Sequence, residues 1–254
     1  MLLVIDAGNT NVTLGVFKDT DLVAQWRLTT EYGRTIDEYG VQARSLFEFA
    51  GIDYKKLEAI AIASVVPALN PTFKRMAEIY FQITPMFVDH TTATGLEILY
   101  EPPSDVGADR IVDAVAAVAK YGAPCIVVDF GTATTFNAIN GKSEYLGGVI
   151  APGIVISSEA LFSRAAKLPR VEIKRPAKVI GSSTVGAMQS GVYHGYASLV
   201  DGVLEQMIAE LGSKPRVIAT GGLASLIATA SRFIEDVDDT LTLEGLRLVH
   251  ERCG

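Results

Sequence analysis

The sequence is poor in the residues that build metal centres and disulfide frameworks. Its 254 residues include 2 cysteines and 3 histidines. Cys125 and Cys253 are far apart and fit neither a disulfide framework nor a zinc signature, and His90, His194 and His250 show no metal-ligand spacing. Cys125 lies within an apolar run, where a thiol usually behaves as a small buried hydrophobic group. The cysteines and histidines therefore point to no metal or disulfide chemistry.

Long apolar runs and an excess of basic charge are also missing. No stretch approaches the roughly 20 uninterrupted apolar residues that a membrane helix needs. The segment Met1–Asp6 has no basic region, and its apolar run ends at an acid, so it does not fit a signal peptide. The formal net charge is −7, whereas a general nucleic-acid binder has a basic surface. We therefore expect a cytoplasmic protein that binds neither membranes nor nucleic acid.

Two common nucleotide-binding motifs are absent as well. The sequence contains neither a G-x-x-x-x-G-K-[ST] phosphate loop nor a G-x-G-x-x-G dinucleotide motif, which argues against a P-loop kinase and a Rossmann dehydrogenase. No serine or cysteine has the context of a nucleophile elbow. An acidic chain can nevertheless bind phosphate groups through helix N-termini, loop amides and a metal ion.

A segment near the N-terminus recurs in the middle of the chain. The stretch Asp6-Ala-Gly-Asn-Thr-Asn-Val12 aligns with Asp129-Phe-Gly-Thr-Ala-Thr-Thr135. In both, an acid ends an apolar strand, a glycine follows two residues later, and small polar residues fill the turn. Each opens a predicted meander of three antiparallel strands, namely Leu2–Asp6, Val12–Phe17 and Leu22–Leu28, then Cys125–Asp129, Thr134–Ile139 and Tyr145–Ile150. The pattern indicates a duplication at the scale of a domain.

Helical spacing follows the strands of each half. Apolar periodicity predicts helices over Ile36–Phe49, Ile111–Tyr121 and Thr184–Leu211. No low-complexity linker divides the chain. We therefore expect two α/β halves, residues 1–109 with the first turn and residues 110–254 with the second, that pack directly against each other.

The first turn offers ligands for phosphate. Gly8 permits close approach of the backbone, and Asn9, Thr10 and Asn11 supply hydrogen-bond donors. Asp6, at the end of the strand, is placed to hold Mg²⁺ directly or through water. Taken alone, the same residues would also suit an ordinary hairpin turn with local side-chain hydrogen bonds.

The second turn favours a cation-dependent phosphate site. Thr132 would contact phosphate from the second half, and Asp129 would face Asp6. Two buried carboxylates that face each other repel unless a cation lies between or beside them. Asp129 is thus a candidate ligand for a second cation, and the alternative is that it only caps a turn. Phosphoryl transfer requires such donors and acids, together with a group that orients or deprotonates the nucleophile.

Two further segments each allow two interpretations. Glycines in Thr220–Gly222 would let adenine lie against the backbone, or would simply allow tight packing. The segment Gly107–Arg110 opens a predicted helix, where free amides favour an anion. Arg110 suits a carboxylate, and Asp109 could accept the proton of a substrate hydroxyl.

The alternative for this segment is a purely structural role, in which Asp109 is the N-cap of the helix and forms a salt bridge with Arg110. Asp105 and Asp113 compete with Asp109 for the role of base, since Asp113 lies one helical turn further along.

Together these segments resemble the type III pantothenate kinases of the sugar kinase–actin–chaperone (ASKHA) superfamily. The resemblance runs nearly end to end, without a departure at the motif positions. The shared motifs are Asp6-x-Gly-Asn-Thr, Tyr100-x-x-Pro103, Gly107-Ala-Asp-Arg110, Asp129-x-Gly-Thr-Ala, Tyr145-x-Gly-Gly-x-Ile-x-Pro-Gly153 and Thr220-Gly-Gly222. The resemblance implies duplicated ribonuclease H-like (actin-like ATPase) domains, with mixed sheets flanked by helices and ATP between the halves.

The resemblance also implies a reaction and a set of site residues. ATP with Mg²⁺ would phosphorylate pantothenate to 4′-phosphopantothenate, the first step of coenzyme A biosynthesis, in a homodimer that requires K⁺ or NH₄⁺. Asp109 would be the catalytic base, Asp129 would hold the monovalent cation, and Asp6 would serve Mg²⁺. The ATP-binding residues would be Asp6, Ala7, Gly8, Asn9, Thr10, Asn11, Val12, Thr13 and Thr132. The pantothenate-binding residues would be Tyr100, Gly107, Ala108, Asp109, Arg110 and Thr184.

Two rival functions stay open from the sequence. One is another kinase or phosphatase of the same superfamily, acting on acetate, a sugar or polyphosphate. The other is a non-catalytic transcription accessory factor that kept the fold. Loss of Asp6 or Asp109 would favour the second, and both are intact. The apolar content of Thr184–Leu211 makes that helix the expected dimer contact.

Overall fold

The computed structural model describes residues 1–253, which divide into two compact units. The first unit comprises Met1–Leu96, Tyr100–Ala116 and the C-terminal helix, and the second comprises Glu97–Leu99 and Ala117–Thr240. The division therefore differs from a single cut after residue 109, because the C-terminal helix joins the first unit rather than the second.

The first unit is built on a five-stranded mixed sheet. In spatial order β3-β2-β1-β4-β5, its strands are β1 (Leu2–Ala7), β2 (Asn11–Lys18), β3 (Asp21–Thr29), β4 (Ala59–Ser64) and β5 (Met86–Phe87). β1, β2 and β3 form the predicted antiparallel meander, whereas β4 and β5 extend the sheet in parallel with β1. β1 lies between two strands and is a continuous buried run, while the edge strand β3 has exposed residues at alternate positions.

Helices cover this sheet and close its core. Helix α1 (Ile36–Phe49) has the predicted bounds, and it begins with a capping box in which Thr35 and Glu38 bond each other's backbone N–H. Helix α2 (Asn70–Met76) continues into a π-helical turn at Ala77–Phe81. Aromatic side chains from both segments pack with the apolar residues of β1, β2 and β4 in one core.

The second unit repeats the same topology. Its strands are β6 (Glu97–Ile98), β7 (Cys125–Phe130), β8 (Ala133–Ile139), β9 (Glu144–Pro152), β10 (Arg216–Thr220) and β11 (Asp236–Val237). The spatial order β9-β8-β7-β10-β11 matches β3-β2-β1-β4-β5, and β6 pairs with the outer side of β9. Asp129 pairs with Thr135 as Asp6 pairs with Thr13. The predicted duplication of a ribonuclease H-like domain is confirmed.

The remaining helices are α3 (Ala108–Tyr121), α4 (Ile154–Arg164), α5 (Thr184–Leu211), α6 (Ala224–Ala228) and α7 (Leu241–Cys253). Short 3₁₀ turns lie at Tyr54–Lys56, Pro67–Leu69 and Pro103–Asp105. Of the predicted helices, α5 has the expected bounds, whereas α3 begins at Ala108 rather than Ile111. Strand β6 was not predicted, because two residues are too short to show a period.

Two expectations from the composition concern the environment of Cys125 and the presence of membrane-spanning helices. Cys125 is fully buried, and this burial raises the pKa of its thiol to about 12, which confirms its role as a small hydrophobic core residue. Among residues 1–253, no helix combines the length and the apolar character needed to cross a membrane.

Candidate active site

The first phosphate turn joins β1 to β2 in the first unit. It is closed by a hydrogen bond from the Gly8 N–H to the Asn11 carbonyl at 2.9 Å. Asn9, Thr10 and Asn11 are exposed on this turn, and Asp6 is partly buried at the end of β1. The turn is therefore a hydrogen-bonded hairpin that also presents its polar residues to solvent, so the two interpretations of the sequence are compatible.

The segment Gly107–Arg110 forms the start of α3. The first helical hydrogen bond runs from the Ile111 N–H to the Gly107 carbonyl at 3.2 Å, so Asp109 lies inside the first turn. The interpretation of Asp109 as the N-cap was wrong, because the helix begins earlier than its apolar period indicates. Asp109 Oδ1 instead accepts a hydrogen bond from the Arg110 N–H at 2.7 Å.

The Asp109 carboxylate lies directly over Gly107. A Cβ atom on Gly107 would be 2.5 Å from Asp109 Oδ1 and 3.2 Å from Val65 Cγ1, so any larger residue would displace the carboxylate. Desolvation by the surrounding protein raises the pKa of Asp109, although the hydrogen bond and the charge of Arg110 act in the opposite direction. A carboxylate whose pKa is raised towards neutrality is a better general base than an ordinary surface aspartate.

Val65 links the two motifs of the first unit. Its N–H donates to the Ala7 carbonyl at 3.0 Å, at the end of β1, and its side chain approaches Gly107. The first phosphate turn and the start of α3 are therefore held near each other, although they are far apart in sequence. No sequence pattern pointed to Val65, since an apolar residue at the end of an apolar strand looks like any core residue.

A cavity of about 310 Å³ borders Gly107 and Ala108 within the first unit. This volume falls at the lower end of the range found for small-molecule sites. Val65, Phe87 and Val88 supply apolar wall, and the polar lining residues are Ser64, Asn70, Asp89, His90, Ser104 and Asp105. The cavity is thus a mixed polar and apolar site beside the Asp109 segment.

The structure distinguishes between Asp105 and Asp113, the two other candidates for the catalytic base. Asp113 is almost fully buried and accepts a hydrogen bond from Thr242 Oγ1 of α7 at 2.7 Å, so it holds two helices together. Asp105 is exposed and lines the cavity, so it stays a candidate. Tyr100 also belongs to the first unit, where it is partly buried.

In the second unit, glycines surround the carboxylate of Asp129. A Cβ atom on Gly221 would be 2.6 Å from Asp129 Oδ1, and one on Gly131 would be 3.1 Å from Oδ2. Thr220 pairs with Asp129 across β10 and β7, which brings the third glycine turn beside the second phosphate turn. Packing explains Gly221, whose φ is +93°, whereas a Cβ atom on Gly222 would meet nothing within 4 Å, so there is space beside Gly222 for a flat ligand.

Thr132 is exposed on the second turn and is supported by Gly153. The Gly153 N–H donates to the Thr132 carbonyl at 3.1 Å, and a Cβ atom on Gly153 would be 2.1 Å from that oxygen. From the sequence, Gly153 was identified only as the last residue of a shared family motif, and this support was missed. Thr184 begins α5, is exposed, and follows the N-cap residue Ser183.

The chain supplies few ligands of its own for a cation. Within residues 1–253 there is no group of three or more histidine, cysteine, aspartate or glutamate side chains that could hold a metal ion. The single carboxylates of Asp6 and Asp129 offer oxygen, the ligand that Mg²⁺ and other hard cations prefer. Such cations commonly complete their coordination with water and substrate phosphate, so each of these single carboxylates, taken by itself, fits a cation that binds together with a nucleotide.

Two ribonuclease H-like sheets, each with an acid-ended glycine turn, define the actin-like ATPase (ASKHA) class of proteins. Solved structures with this fold include a conserved protein from Campylobacter jejuni described as a Baf family transcriptional activator, which is 21% identical over 98% of this chain and 97% of that chain, with a TM-score of 0.60. Component A of (R)-2-hydroxyglutaryl-CoA dehydratase from Acidaminococcus fermentans is 13% identical over 100% and 99%, with a TM-score of 0.55. At these identities the similarity shows the fold alone.

Sequence comparison resolves the family within this class. A family model for type III pantothenate kinases matches residues 2–206. Type III pantothenate kinases from Koribacter versatilis and Halalkalibacterium halodurans are each 54% identical to the chain, over 99% of its length and over 96% and 99% of theirs. The chain belongs to the type III pantothenate kinase family.

Proposed function

We propose that this protein transfers the γ-phosphoryl group of ATP to the primary hydroxyl of pantothenate, which forms 4′-phosphopantothenate for coenzyme A biosynthesis. The observation that carries the proposal is the placement of Asp109. Its carboxylate has a raised pKa and lies over Gly107, and Gly107 lines a cavity of about 310 Å³. Membership of the family supplies the identity of the acceptor.

The chemistry divides between proton transfer and charge stabilisation. Asp109 takes the proton of the acceptor hydroxyl, the hydroxyl oxygen bonds to the γ-phosphorus, and the bond to the bridging oxygen breaks, which releases ADP. Arg110, Tyr100, Gly107, Ala108 and Thr184 bind pantothenate in this proposal, with Arg110 suited to its carboxylate.

ATP is bound by backbone and side-chain donors of Asp6–Thr13 and by Thr132. Asp6 holds Mg²⁺, directly or through water, and Asp129 holds a monovalent cation, K⁺ or NH₄⁺. When bound, these cations neutralise charge on the phosphate oxygens. The position of Asp129 beside Gly131 and Gly221 supports this role, because a side chain at either glycine would crowd the carboxylate oxygens.

The protein is proposed to be a cytoplasmic homodimer. Its second unit carries an uncharged segment from Leu146 to Ser158, in β9 and α4, where Val149, Ile150, Val155 and Ile156 are all exposed. The cores of protein interfaces are depleted of charge and rich in apolar side chains. In α5, by contrast, Val185 is the large hydrophobic residue that is exposed. We therefore propose β9 and α4, rather than α5, as the surface that meets the second copy.

A coupled ADP-release assay tests the proposed reaction. ATP and Mg²⁺ are supplied with pantothenate, acetate, a sugar or polyphosphate, each with and without K⁺. We expect ADP release with pantothenate and stimulation by K⁺, and Asp109→Asn should reduce turnover by about 10²- to 10⁴-fold. If pantothenate gives no ADP release, the proposed reaction is wrong. If Asp109→Asn keeps near-full activity, the assignment of Asp109 as the base is wrong.

A further inference from the structure

The first phosphate turn is tied to a residue outside every motif considered above. Thr30 follows the last residue of β3 and is buried. Its Oγ1 donates a hydrogen bond to the Gly8 carbonyl at 2.7 Å, and its N–H donates to the Thr10 carbonyl at 3.0 Å. Two consecutive bonds from one buried residue therefore fix two peptide groups of the turn.

These bonds determine which way the turn presents its N–H groups. In a planar trans peptide, the carbonyl of one residue and the N–H of the next point in opposite directions. Because the Gly8 and Thr10 carbonyls point towards Thr30, the N–H groups of Asn9 and Asn11 point away from it. A phosphate site needs N–H groups directed at the anion and carbonyl oxygens directed elsewhere.

The side chain of Thr30 is well suited to this task. A β-branched residue has few χ1 rotamers, so its hydroxyl is held in one direction at little further entropic cost. Tyr32 makes a weaker contact with the same turn, because its exposed hydroxyl donates to Asn9 Oδ1 at 3.4 Å.

We propose that Thr30 is a positioning residue for ATP binding, which holds the Gly8 and Thr10 carbonyls so that the N–H groups of Asn9 and Asn11 face the phosphates. This inference rests on the proposed binding of ATP by the first turn, but it does not depend on the identity of the acceptor. Thr30 itself does not need to touch the nucleotide.

The test compares Thr30→Val, which removes the hydroxyl at nearly constant volume, with Thr30→Ser, which retains it. The dissociation constant of ATP with Mg²⁺ is measured by calorimetry without an acceptor, and the KM values of ATP and acceptor are measured separately. We expect Thr30→Val to raise the dissociation constant and the KM of ATP by about tenfold, equivalent to about 1.4 kcal/mol. The KM of the acceptor should change by less than about twofold, because it does not depend on this lost hydrogen bond.

Three other variants define the specificity of the effect. Thr30→Ser should restore ATP affinity to within about threefold of wild type, because the hydrogen bond is kept. Thr29→Val, at the exposed neighbouring residue, and Tyr32→Phe, at the long exposed contact, should each change it by less than about twofold. If Thr30→Val does not fold, Thr30→Ala against Thr30→Ser makes the same comparison without a bulky apolar side chain.

Two results would overturn the inference. One is wild-type ATP affinity in a folded variant that lacks the hydroxyl, and the other is an equal loss in Thr30→Ser. Failure of the proposed function gives a different result. If wild-type protein binds ATP but does not phosphorylate pantothenate, the proposed function is wrong and the role of Thr30 stands. If wild-type protein does not bind ATP, both the proposed function and the role of Thr30 are wrong.

Discussion

The Asp109 carboxylate occupies space that any side chain at position 107 would need: a Cβ atom on Gly107 would be 2.5 Å from Asp109 Oδ1. The glycine of the Gly-Ala-Asp-Arg segment is therefore required by the position of the acid two residues later. Since the contacted atom is the free end of a flexible side chain, a substitution at Gly107 would move the carboxylate rather than unfold the helix.

Gly107→Ala should therefore reduce turnover more than stability. A displacement of a catalytic group by about 1 Å can lower the rate about 10²-fold, and we expect a loss of kcat of that order. Thermal unfolding should shift by only a few degrees. Gly33→Ala is the matched control, since a Cβ atom there has no neighbour within 4 Å. Unchanged kcat in Gly107→Ala would show that Asp109 is not placed by this contact.

Asp109→Asn should stabilise the protein at neutral pH while it removes activity. A carboxyl whose pKa is raised by folding destabilises the folded state above its unfolded pKa, because ionisation is harder in the folded chain. The amide has no such ionisation, so its melting temperature should exceed that of wild type at pH 7. The difference should shrink as the pH falls through the raised folded pKa of Asp109, and it should be absent below about pH 4, where the unfolded carboxyl is also protonated. In wild type, kcat/KM should fall on the acid side at a pH above about 3.9, the pKa of an unperturbed aspartate. The raised pKa would be contradicted if the acid limb of the kcat/KM profile lay at or below that value. It would also be contradicted if Asp109→Asn were less stable than wild type at pH 7.

Gly221→Ala should disturb the second turn. Gly222→Ala should not, because its added methyl group would meet no neighbouring atom. At Gly221, φ is +93° and a Cβ atom would be 2.6 Å from Asp129 Oδ1, while a Cβ atom on Gly222 would meet nothing within 4 Å. We expect Gly221→Ala to lower the free energy of unfolding by at least about 1 kcal/mol and to weaken stimulation by K⁺. Chemical denaturation and a K⁺ titration of activity measure the two effects. Equal behaviour of the two variants in both assays would refute the special position of Gly221.

Lys120 should stabilise the second unit in a pH-dependent way. Burial acts to raise the pKa of Asp238, but the hydrogen bond and charge of Lys120, together with two hydrogen bonds from Thr240, outweigh it, so the pKa lies below its usual range. The stabilisation is therefore present above the unfolded pKa of Asp238 and is lost as the pH falls through the folded pKa. Lys120→Met should lower the free energy of unfolding by about 2 kcal/mol near pH 7, and Lys120→Arg should retain much of it. A Lys120→Met deficit that stayed constant down to about pH 3 would exclude this ion pair as the cause.

Ile150→Glu should dissociate the proposed homodimer. Ile150 is 62% exposed in the uncharged segment of β9 and α4, and a buried unpaired charge there would strongly disfavour association. Sedimentation velocity should show a dimer for wild type and a monomer for the variant. Val185→Glu, at an exposed residue of α5, is the comparison. If Val185→Glu dissociates the dimer and Ile150→Glu does not, the interface lies on α5 rather than on β9 and α4.

The repeated architecture could be predicted from the sequence alone. Continuous apolar runs ending at Asp6 and Asp129, each followed by a glycine turn and two further strands, suffice to predict both meanders, because central strands and tight turns leave local patterns. The bounds of α1 and α5 could be predicted for the same reason. The motifs also identified the family, since their combination is specific.

Which of these residues are neighbours, and why, depends on the way the chain folds in three dimensions. The roles of Val65, Gly153 and Thr30 depend on contacts between segments that are distant in sequence, and such residues carry no periodic or compositional signal of their own. The start of α3 was misjudged because its first turn has a polar residue, Asp109, at the position where an apolar period was sought. The same tertiary contacts separate Asp109 from Asp113, since burial against α7 gives Asp113 a structural partner that no local pattern could predict.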